Sequence, residues 1–394
     1  MKKIYLLITG LILSTLTFGQ TTISDSIISG GVYRTYRLYI PAIYNAANSV
    51  PLVFNLHAYS YRNTDEETYA DFRPVADTAN FIIALPQGDS VHQAWEYNLG
   101  FDNFNTVADA SKDLNFISNL IDTIKSQYNI DLDRVYATGY SNGGFMSYDL
   151  ACFLNSRIAA IASVAGTMVT SHDSSCNPAH PTPVMEIHGA ADSCVTYNGV
   201  AAQCLTLQTI LCTPIDTLIK HWVARNNCTT TPVFNNVPNT NLLDLCTAEH
   251  YVYSGGNNGS SVELYKIIGG AHTWPGSGFV WGGGTCMDFK ATVEIWRFFR
   301  QYTLSDLTTG TSVMAAPSEN YITLFPNPNK GKFTLNIPYA SAQIQIVNSL
   351  GQVIQQTKAD NKSNINFEIN DKGIYFLQLT TAKETIVKKI VVGD

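Results

Sequence analysis

The sequence has few charged side chains and lacks a basic excess. Only 14% of its 394 residues are Asp, Glu, Lys or Arg, and the formal net charge is −7 at pH 7. Proteins that bind nucleic acid usually present a concentrated positive field, so this composition argues against a nucleic-acid partner. Hydrophobic residues make up 45% of the chain, which is enough for a sizeable globular core.

The cysteines lack the spacing of metal or redox sites. The chain has eight of them but no Cys-x-x-Cys pair, and none forms a finger-like array with histidine, so no metal is expected. All eight lie between Cys152 and Cys286. An even number in an exported chain favours disulfides, although the spacing by itself selects no pairing.

Long apolar runs are also missing, except at the N-terminus. Lys2 and Lys3 precede the apolar segment 4–16, and small and polar residues follow as far as Gln20. This order predicts a secretory signal peptide over residues 1–20. A membrane anchor is the alternative, but the run is shorter than the roughly 20 apolar residues that a spanning helix needs. No later segment reaches that length, so we expect no membrane span in the mature protein.

Changes in pattern divide the rest of the chain. Between residues 21 and 302, strand-like and helix-like runs alternate, as in 51–56 and 114–128, which predicts a mostly parallel sheet with helices on both faces. Residues 303–318 are rich in Thr, Ser, Gly, Ala and Pro and predict a linker. From 319 to 394, short strands separated by turns predict a small Ig-like β-sandwich. The predicted fold class is therefore α/β with a C-terminal all-β domain.

The strongest local motif is Gly139-Tyr140-Ser141-Asn142-Gly143-Gly144. It follows the predicted strand 133–138 and precedes a helical segment, which is the setting of a nucleophilic serine on a strained strand-to-helix turn. Glycines keep side chains out of that crowded turn and leave the serine hydroxyl exposed above the sheet. The flanking strand and helix therefore carry the interpretation of Ser141 as a nucleophile.

A serine nucleophile requires a histidine base and a carboxylate that orients the histidine. Asp192 follows the predicted strand 183–188, and His272 follows the predicted strand 262–268. Ser, Asp and His in that chain order, each after a strand, match one known arrangement of the triad. We therefore expect Asp192 to be the acid and His272 the base.

Other residues of the same types fit the triad less well. His188 ends a predicted strand but precedes Asp192, so a structural role is favoured for it. Two carboxylates, Asp173 and Asp244, lie in cysteine-flanked loops away from any predicted strand end. Three further histidines lie in polar segments and are expected to be solvated: His172, His180 and His250.

A tetrahedral intermediate needs two backbone N–H groups as an oxyanion hole. The residue after the nucleophile, Asn142, should supply one, and the loop after an early strand should supply the other. The strand ending at Leu56 and its loop 57–60 place Tyr59 in that position. Trp95 and Trp274 are candidate walls of a substrate pocket, with a role in the core as the alternative.

Taken together, these motifs resemble the secreted polyhydroxybutyrate depolymerase and feruloyl esterase family of α/β-hydrolases. The resemblance covers about residues 30–302. It rests on His57-Ala58-Tyr59, Trp95, Gly139 to Met146, Leu150-Ala151-Cys152, His188 to Asp192, and Gly270 to Gly276. It implies a Ser141–His272–Asp192 triad, no metal or other cofactor, and ester hydrolysis through an acyl-enzyme.

The resemblance also implies disulfides and shows two departures from the family pattern. The implied pairs are Cys152–Cys176 and, more weakly, Cys228–Cys246. Ala58 stands where the family usually has glycine, which puts the conformation of the oxyanion loop in question. Residues 194–212 look like an insertion after the Asp192 motif.

The function expected from this resemblance is a secreted serine carboxylesterase acting on feruloyl or acetyl esters of plant polysaccharide. An extracellular polyester depolymerase of the polyhydroxybutyrate type is the first alternative. A catalytically inactive binding or adhesion protein of the cell surface is the second. Turnover of polysaccharide esters, of polyester, or of no ester distinguishes the three.

The C-terminal segment 319–394 resembles the sorting domain of type IX secretion in Bacteroidota. The resemblance rests on Leu324-Phe325-Pro326-Asn327-Pro328, Gly331, Phe333, Gly373 to Leu377, and Lys388 to Val392. It implies the secretion machinery as a partner and a secreted or cell-surface location. A carbohydrate-binding or adhesive sandwich is the alternative, but Tyr321, Tyr339 and Tyr375 are too scattered to predict an aromatic binding face.

Overall fold

The computed structural model describes residues 20–88, 93–95, 107–199, 211–278, 284–309, 323–325, 329–337, 341–348, 352–360, 364–381 and 385–393. Residues 1–19 of the predicted signal peptide and residues 200–210 of the predicted insertion lie outside these ranges. Within them, no helix has the length and apolar character needed to cross a membrane. The chain divides into two compact units, Met1–Val313 and Met314–Asp394.

The first unit is built on one large sheet. Its strands are β1 Thr21–Ser29, β2 Val32–Ile40, β3 Val50–Leu56, β4 Ile82–Pro86, β5 Ile130–Tyr140, β6 Ala160–Val164, β7 Val184–Gly189, β8 Val233–Asn236, β9 Thr247–Tyr253 and β10 Val262–Ile268. They lie in the order β1-β2-β4-β3-β5-β6-β7-β10-β9-β8. From β4 to β10 in this order, each strand is parallel to its neighbour. The neighbouring pairs at the two edges, β1–β2, β2–β4, β10–β9 and β9–β8, are antiparallel.

Helices cover both faces of this sheet. They are α1 Asn63–Tyr69, α2 Arg73–Ala79, α3 Val107–Gln127, α4 Asn142–Phe153, α5 Thr170–Ser175, α6 Ile215–Arg225, α7 Ala291–Phe299 and α8 Leu304–Thr309. Apolar side chains of α3, α4 and α6 form one buried cluster, and those of α2, α7 and α8 form a second. The predicted α/β architecture is confirmed.

Side chains alternate along the central strands, so each strand contributes to both buried clusters. On β3, Leu52 and Phe54 join the first cluster, whereas Val53 between them joins the second. Successive side chains of a strand point to opposite faces, so a strand with helices on both sides needs apolar residues at every position. This requirement explains why the central strands appear in the sequence as continuous apolar runs.

Part of the predicted linker 303–318 belongs to the first unit. Residues 304–309 form α8, and Leu307 is 1% exposed within the second buried cluster. The Asn258 side chain also donates a hydrogen bond to the Leu307 carbonyl oxygen at 2.6 Å. The amino-acid composition does not indicate this helix, because a single buried leucine attaches it to the core. Residues 310–318 of the predicted linker lie outside the described residues.

The second unit is an all-β sandwich, as predicted. Its strands are β11 Thr323–Phe325, β12 Lys332–Asn336, β13 Ser341–Asn348, β14 Val353–Asp360, β15 Asn364–Glu368, β16 Gly373–Thr380 and β17 Thr385–Val392. They form a three-stranded sheet, β11-β12-β15, and a four-stranded sheet, β14-β13-β16-β17. Alternate residues such as Ile344, Ile346, Leu377 and Leu379 supply its buried core.

The cysteines follow the implied pairing in one case and contradict it in the other. Cys152, near the end of α4, forms a disulfide with Cys176 after α5. The implied Cys228–Cys246 pair is wrong, since both residues are present as thiols. Cys228 lies in the first buried cluster and Cys246 in the second, so the sheet separates them. Cys194 is also disulfide-bonded.

Candidate active site

Parallel strand order places four loops at one edge of the sheet. β3, β5, β7 and β10 are all parallel members of the sheet, so the loops that follow them emerge at their common carboxyl edge. These are the loops that contain Tyr59, Ser141, Asp192 and His272. Open α/β sheets bind their ligands at this edge.

Ser141 occupies the sharp turn between β5 and α4. Its backbone has φ 53° and ψ −114°, a conformation that is strained for a residue with a side chain. Its amide donates to the Val164 carbonyl oxygen at 2.8 Å, which ties the turn to β6. Contrary to the expectation of an exposed serine, Ser141 is only 5% exposed, because a histidine side chain lies over its hydroxyl.

Two glycines permit this turn to pack closely. A Cβ atom on Gly143 would lie 2.0 Å from the Leu56 carbonyl oxygen, and one on Gly139 would lie 2.4 Å from the Gly143 carbonyl carbon. Both distances are far below van der Waals contact. The motif therefore requires glycine at these positions because the end of β3 presses directly against the turn.

His272 and Asp192 complete a hydrogen-bonded chain with Ser141. His272 Nε2 lies 2.9 Å from Ser141 Oγ, and His272 Nδ1 lies 2.8 Å from Asp192 Oδ2. A neutral imidazole that donates from Nδ1 to the carboxylate accepts the serine O–H at Nε2. The Asp192 side chain is fully buried, whereas that of His272 is 18% exposed. The structure thus brings together the three residues that the sequence selected.

Backbone amides hold the Asp192 carboxylate. Its Oδ1 atom accepts hydrogen bonds from the Cys194 amide at 2.7 Å and the Val195 amide at 2.9 Å. Its Oδ2 atom is left to face His272. Such charge-assisted bonds fix the orientation of the carboxylate.

Two tyrosine hydroxyl groups anchor the loop that carries His272. The Tyr140 hydroxyl donates to the His272 carbonyl oxygen at 2.7 Å, and the two rings lie 5.1 Å apart. Burial raises the pKa of Tyr140, so its phenol stays protonated as this donor. The Tyr69 hydroxyl accepts the Trp274 amide at 3.0 Å on the other side of the loop. Both ends of the histidine motif are therefore anchored to the core.

The proposed oxyanion donors lie on two adjoining segments. Asn142 is the first residue of α4, where backbone N–H groups have no partner inside the helix. Tyr59 lies in the loop three residues after the end of β3, and the last residue of that strand, Leu56, presses against the Ser141 turn. Ala58 has no positive φ, so alanine fits where the family usually has glycine. That departure leaves the loop unstrained at residue 58.

Trp95 braces both of these segments from the interior. Its backbone amide donates to Asn142 Oδ1 at 2.8 Å, and its indole N–H donates to the His57 carbonyl oxygen at 2.8 Å. His57 Nε2 in turn accepts the Gly88 amide at 2.8 Å, and its Nδ1 atom lies 2.8 Å from the Ala58 carbonyl oxygen. Burial lowers the pKa of His57 to about 4, so it works as a neutral donor and acceptor.

The prediction that Trp95 and Trp274 wall a substrate pocket is not supported by their positions. Each is only 1% exposed. The Trp274 ring packs edge-on against Phe72 at 6.1 Å within the second buried cluster. Both indoles therefore lack the accessible surface that a pocket wall needs. Both residues instead take the role in the core that the sequence left as the alternative.

The competing residues are engaged elsewhere, although not as expected. His172, expected to be solvated, is 2% exposed and pairs with Asp149 at 3.0 Å. His250 lies on β9 and pairs with Glu263 at 2.8 Å. His180 bonds to the Asn155 carbonyl oxygen, and Asp173 pairs with His221 and Arg225. In each case the side chain pairs with a residue distant in sequence, although its polar sequence neighbours suggested that it would face solvent.

One group in the described part of the chain has the ligand types of a metal site. Oxygen and sulfur atoms of Asp244, Cys286 and Asp288 lie within 4.8 Å of one another. The Asp244 carboxylate accepts the amides of Cys246 and Met287, and Asp288 Oδ1 accepts those of Thr240 and Asn241. These carboxylates already stabilise the surrounding loops, and burial raises the pKa of Cys286 to about 12, which keeps its sulfur protonated. The group therefore fits a metal poorly.

Comparison with protein families identifies two segments. Residues 85–213 match the family described as phospholipase/carboxylesterase. Residues 323–393 match the family described as secretion system C-terminal sorting domain. The first match includes Ser141 and Asp192, and the second covers the β-sandwich from β11 to β17. The second match confirms the sorting-domain resemblance, and the first supports the carboxylesterase resemblance over residues 85–213.

Curated relatives are esterases at modest identity. A bifunctional acetylxylan esterase/xylanase of Neocallimastix patriciarum is 28% identical over 45% of this chain and 24% of its own. Feruloyl esterase B of Piromyces equi is 29% identical over 59% of this chain and 41% of its own. An esterase of Nocardia uniformis subsp. tsuyamanensis is 26% identical over 66% of this chain and 76% of its own. The chain thus spans less than half the length of the first two relatives.

Proposed function

We propose that this chain, an α/β-hydrolase with a phospholipase/carboxylesterase domain and a secretion system C-terminal sorting domain, is an exported serine esterase. The observation that carries the proposal is the hydrogen-bonded chain Ser141–His272–Asp192 at the carboxyl edge of the sheet. Three residues scattered over 131 positions converge there with the donor and acceptor order that nucleophilic catalysis needs.

In this proposal Ser141 Oγ attacks the ester carbonyl carbon, and His272 Nε2 takes the serine proton. The oxyanion forms beside the amides of Asn142 and Tyr59, which donate hydrogen bonds to it. His272 then gives the proton to the leaving alcohol, which leaves an acyl group on Ser141. Water, activated by the same imidazole, releases the acid and restores the serine. Asp192 holds the imidazole in the correct tautomer throughout.

For the substrate we propose feruloyl or acetyl esters of plant polysaccharide. Support comes from two of the relatives, which are named as an acetylxylan esterase and a feruloyl esterase. The sorting domain supports export, which would bring the enzyme to a polymer that cannot enter a cell. Release of acetate or ferulate from xylan fragments, set against release of hydroxybutyrate from polyester, tests this choice of substrate.

The test of the chemistry is Ser141→Ala, with Ser147→Ala as a matched control. Both changes remove one hydroxyl from the same turn and helix, but Ser147 only bonds to the Gly143 carbonyl oxygen at 2.9 Å. Loss of a triad serine typically lowers turnover by about 10⁶. We expect the first variant to lose hydrolysis of a short p-nitrophenyl ester and labelling by a fluorophosphonate, and the second to keep both. Activity of Ser141→Ala within about tenfold of wild type would exclude Ser141 as the nucleophile.

A further inference from the structure

A second histidine lies behind the acid of the proposed triad. His188, near the end of β7, is fully buried, and its Nε2 atom lies 3.4 Å from Asp192 Oδ2. This is the same carboxylate oxygen that faces His272 Nδ1. We propose that His188 and Glu186 form a buried imidazolium–carboxylate pair that positions Asp192 and keeps His272 unprotonated to lower pH. The inference rests on the proposed function and adds a positioning residue to its site.

The hydrogen bonds of His188 require both ring nitrogens to carry a hydrogen. Nδ1 lies 2.9 Å from Glu186 Oε1, and Nε2 lies 2.8 Å from the Val195 carbonyl oxygen. A carbonyl and a carboxylate only accept, so two N–H donors are needed unless Glu186 holds the proton. Burial raises the pKa of Glu186, and the hydrogen bonds from His188 and from the Tyr148 hydroxyl, which donates to Oε2 at 2.8 Å, oppose that shift.

The nearby charges favour the imidazolium form of His188. Burial by itself lowers the pKa of His188, but the hydrogen bond to Glu186 and the charge of Asp192 outweigh it, so the pKa lies above its ordinary value. Glu186 and Asp192 are the carboxylates at ion-pair distance from its nitrogens among the described residues. An imidazolium between two carboxylates satisfies every polar atom of the group.

The groups farther out are already paired with one another. The Tyr197 ring lies edge-on to His188 at 5.9 Å, and its hydroxyl donates to Asp216 at 2.6 Å. Lys266 lies on β10 and is paired with His188 of the neighbouring strand β7. Its ammonium group lies 4.7 Å from the centre of the Tyr197 ring. The titratable and charged groups that surround the pair are therefore Tyr148, Glu186, Asp192, Tyr197, Asp216, Lys266 and His272.

His188 also fixes the loop that carries Asp192. The Val195 carbonyl oxygen accepts from His188, and the Val195 amide donates to Asp192 Oδ1. One residue thus connects the imidazole of His188 to the carboxylate that it faces. The contact closes a ring of hydrogen bonds around Asp192, which holds both carboxylate oxygens in place.

A positive charge at His188 has a direct consequence for His272. Both imidazoles face Asp192 Oδ2, so protonating His272 would place a second cation against the same oxygen. At the short separations inside a site, such like-charge repulsion shifts a protonation equilibrium by about one pH unit after partial offset by the carboxylates. His272 must be neutral to accept the serine proton. The His188–Glu186 pair therefore extends the pH range of activity to lower pH.

The test is the pH profile of kcat/KM in His188→Gln. Glutamine can still donate to the Val195 carbonyl oxygen but carries no charge. We expect the acid limb to move about one pH unit upward, with KM changed less than about twofold. The matched control is His250→Gln, which breaks another His–Glu pair, that of His250 and Glu263 at 2.8 Å. It should leave the acid limb in place.

The outcomes separate this inference from the proposed function. If Ser141→Ala abolishes turnover and His188→Gln keeps the wild-type acid limb, the inference is overturned and the function stands. If Ser141→Ala keeps turnover, the function itself fails. Should His188→Gln not fold, His188→Asn keeps a donor toward Glu186 and carries the same expectation. In histidine-labelled wild type, NMR should show the His188 ring doubly protonated at pH 7.5, and a neutral ring would overturn the proposal.

Discussion

The indole N–H of Trp95 donates a hydrogen bond to the carbonyl oxygen of His57, 2.8 Å away. The two residues lie on different loops, and the bond connects the segment after β4 to the segment that carries the proposed oxyanion donor Tyr59. Without this donor the His57 carbonyl oxygen would be buried and unsatisfied, which costs about 1–3 kcal/mol. The bond therefore holds the start of the oxyanion loop against the Ser141 turn.

Trp95→Phe should lower kcat/KM about tenfold, mostly through kcat, because the phenyl ring retains most of the apolar contact but loses the donor. The matched control is Trp222→Phe. Trp222 is fully buried, and its Nε1 atom has no hydrogen-bond partner among the described residues. That change should alter thermal stability but not turnover. Steady-state kinetics on a short ester check both, and equal kinetics for Trp95→Phe and wild type would contradict the bracing role.

The buried His57 should make stability depend on pH. Burial lowers its pKa from 6.5 to about 4, so between these values the unfolded chain binds a proton that the folded chain does not. Stability from His57 is therefore present above pH 6.5 and lost as the pH falls toward 4, by about 3 kcal/mol in total. Urea unfolding of wild type and His57→Gln checks this. The difference between their unfolding free energies should shrink by that amount from pH 7 to pH 4, and a constant difference would contradict it.

Gly143→Ala should disrupt the site more than its size implies. The added Cβ would lie 2.0 Å from the Leu56 carbonyl oxygen, and backbone cannot move aside cheaply in a packed core. We expect a loss of stability above about 2 kcal/mol and loss of ester hydrolysis. Gly278→Ala is the control, because no heavy atom of the described residues lies within 4 Å of its Cβ position. Thermal unfolding and kinetics of both variants decide the point, and near-native values for Gly143→Ala would refute the clash.

The Cys152–Cys176 disulfide should stabilise the fold by about 3 kcal/mol. It closes a loop of 24 residues, and the entropy of the unfolded chain falls accordingly. The double variant Cys152→Ser, Cys176→Ser should therefore unfold at a lower urea concentration in non-reducing buffer. With reductant in both samples, which also opens the disulfide of Cys194, wild type and variant should unfold at similar urea concentrations. Equal midpoints without reductant would show that the bond contributes little.

The C-terminal domain should direct export and take no part in catalysis. Ser141, Asp192, His272 and all the residues that brace them precede residue 309, and α8 has to be kept because Leu307 is buried. A chain ending at Thr309 should keep its turnover on a small soluble ester, whereas the native host should fail to export it. Fusing residues 319–394 to an unrelated periplasmic passenger should export the passenger. Normal export of the shortened chain, together with lost binding to insoluble polymer, would instead identify a binding module.

The sequence by itself determined the layered α/β fold, the all-β tail and the residues of the candidate triad. These features follow from local regularities. Each signal lies within about twenty consecutive residues. The signals are apolar runs of strand length, apolar residues spaced by three and four positions in a helix, and a Gly-x-Ser-x-Gly turn. Once the strands are known to be parallel, residues just after their carboxyl ends must meet at one edge, so Ser141, Asp192 and His272 could be chosen from chain order alone.

Tertiary structure alone decided which side chains meet across the fold. The Cys228–Cys246 pair failed because the two residues lie on opposite faces of the sheet, which chain spacing does not reveal. Trp95 became a brace, and His172 became buried, through partners 38 and 23 residues away. His188 is a different case, because its partners Glu186, Asp192 and Val195 lie within seven residues of it in the chain. The turn after β7 brings Asp192 back against the His188 ring, and the amides of Ala190 and Ala191 hold that turn to the Ile267 and Gly270 carbonyl oxygens. Local sequence does not reveal this contact, because those carbonyl groups reach the turn only when the core assembles.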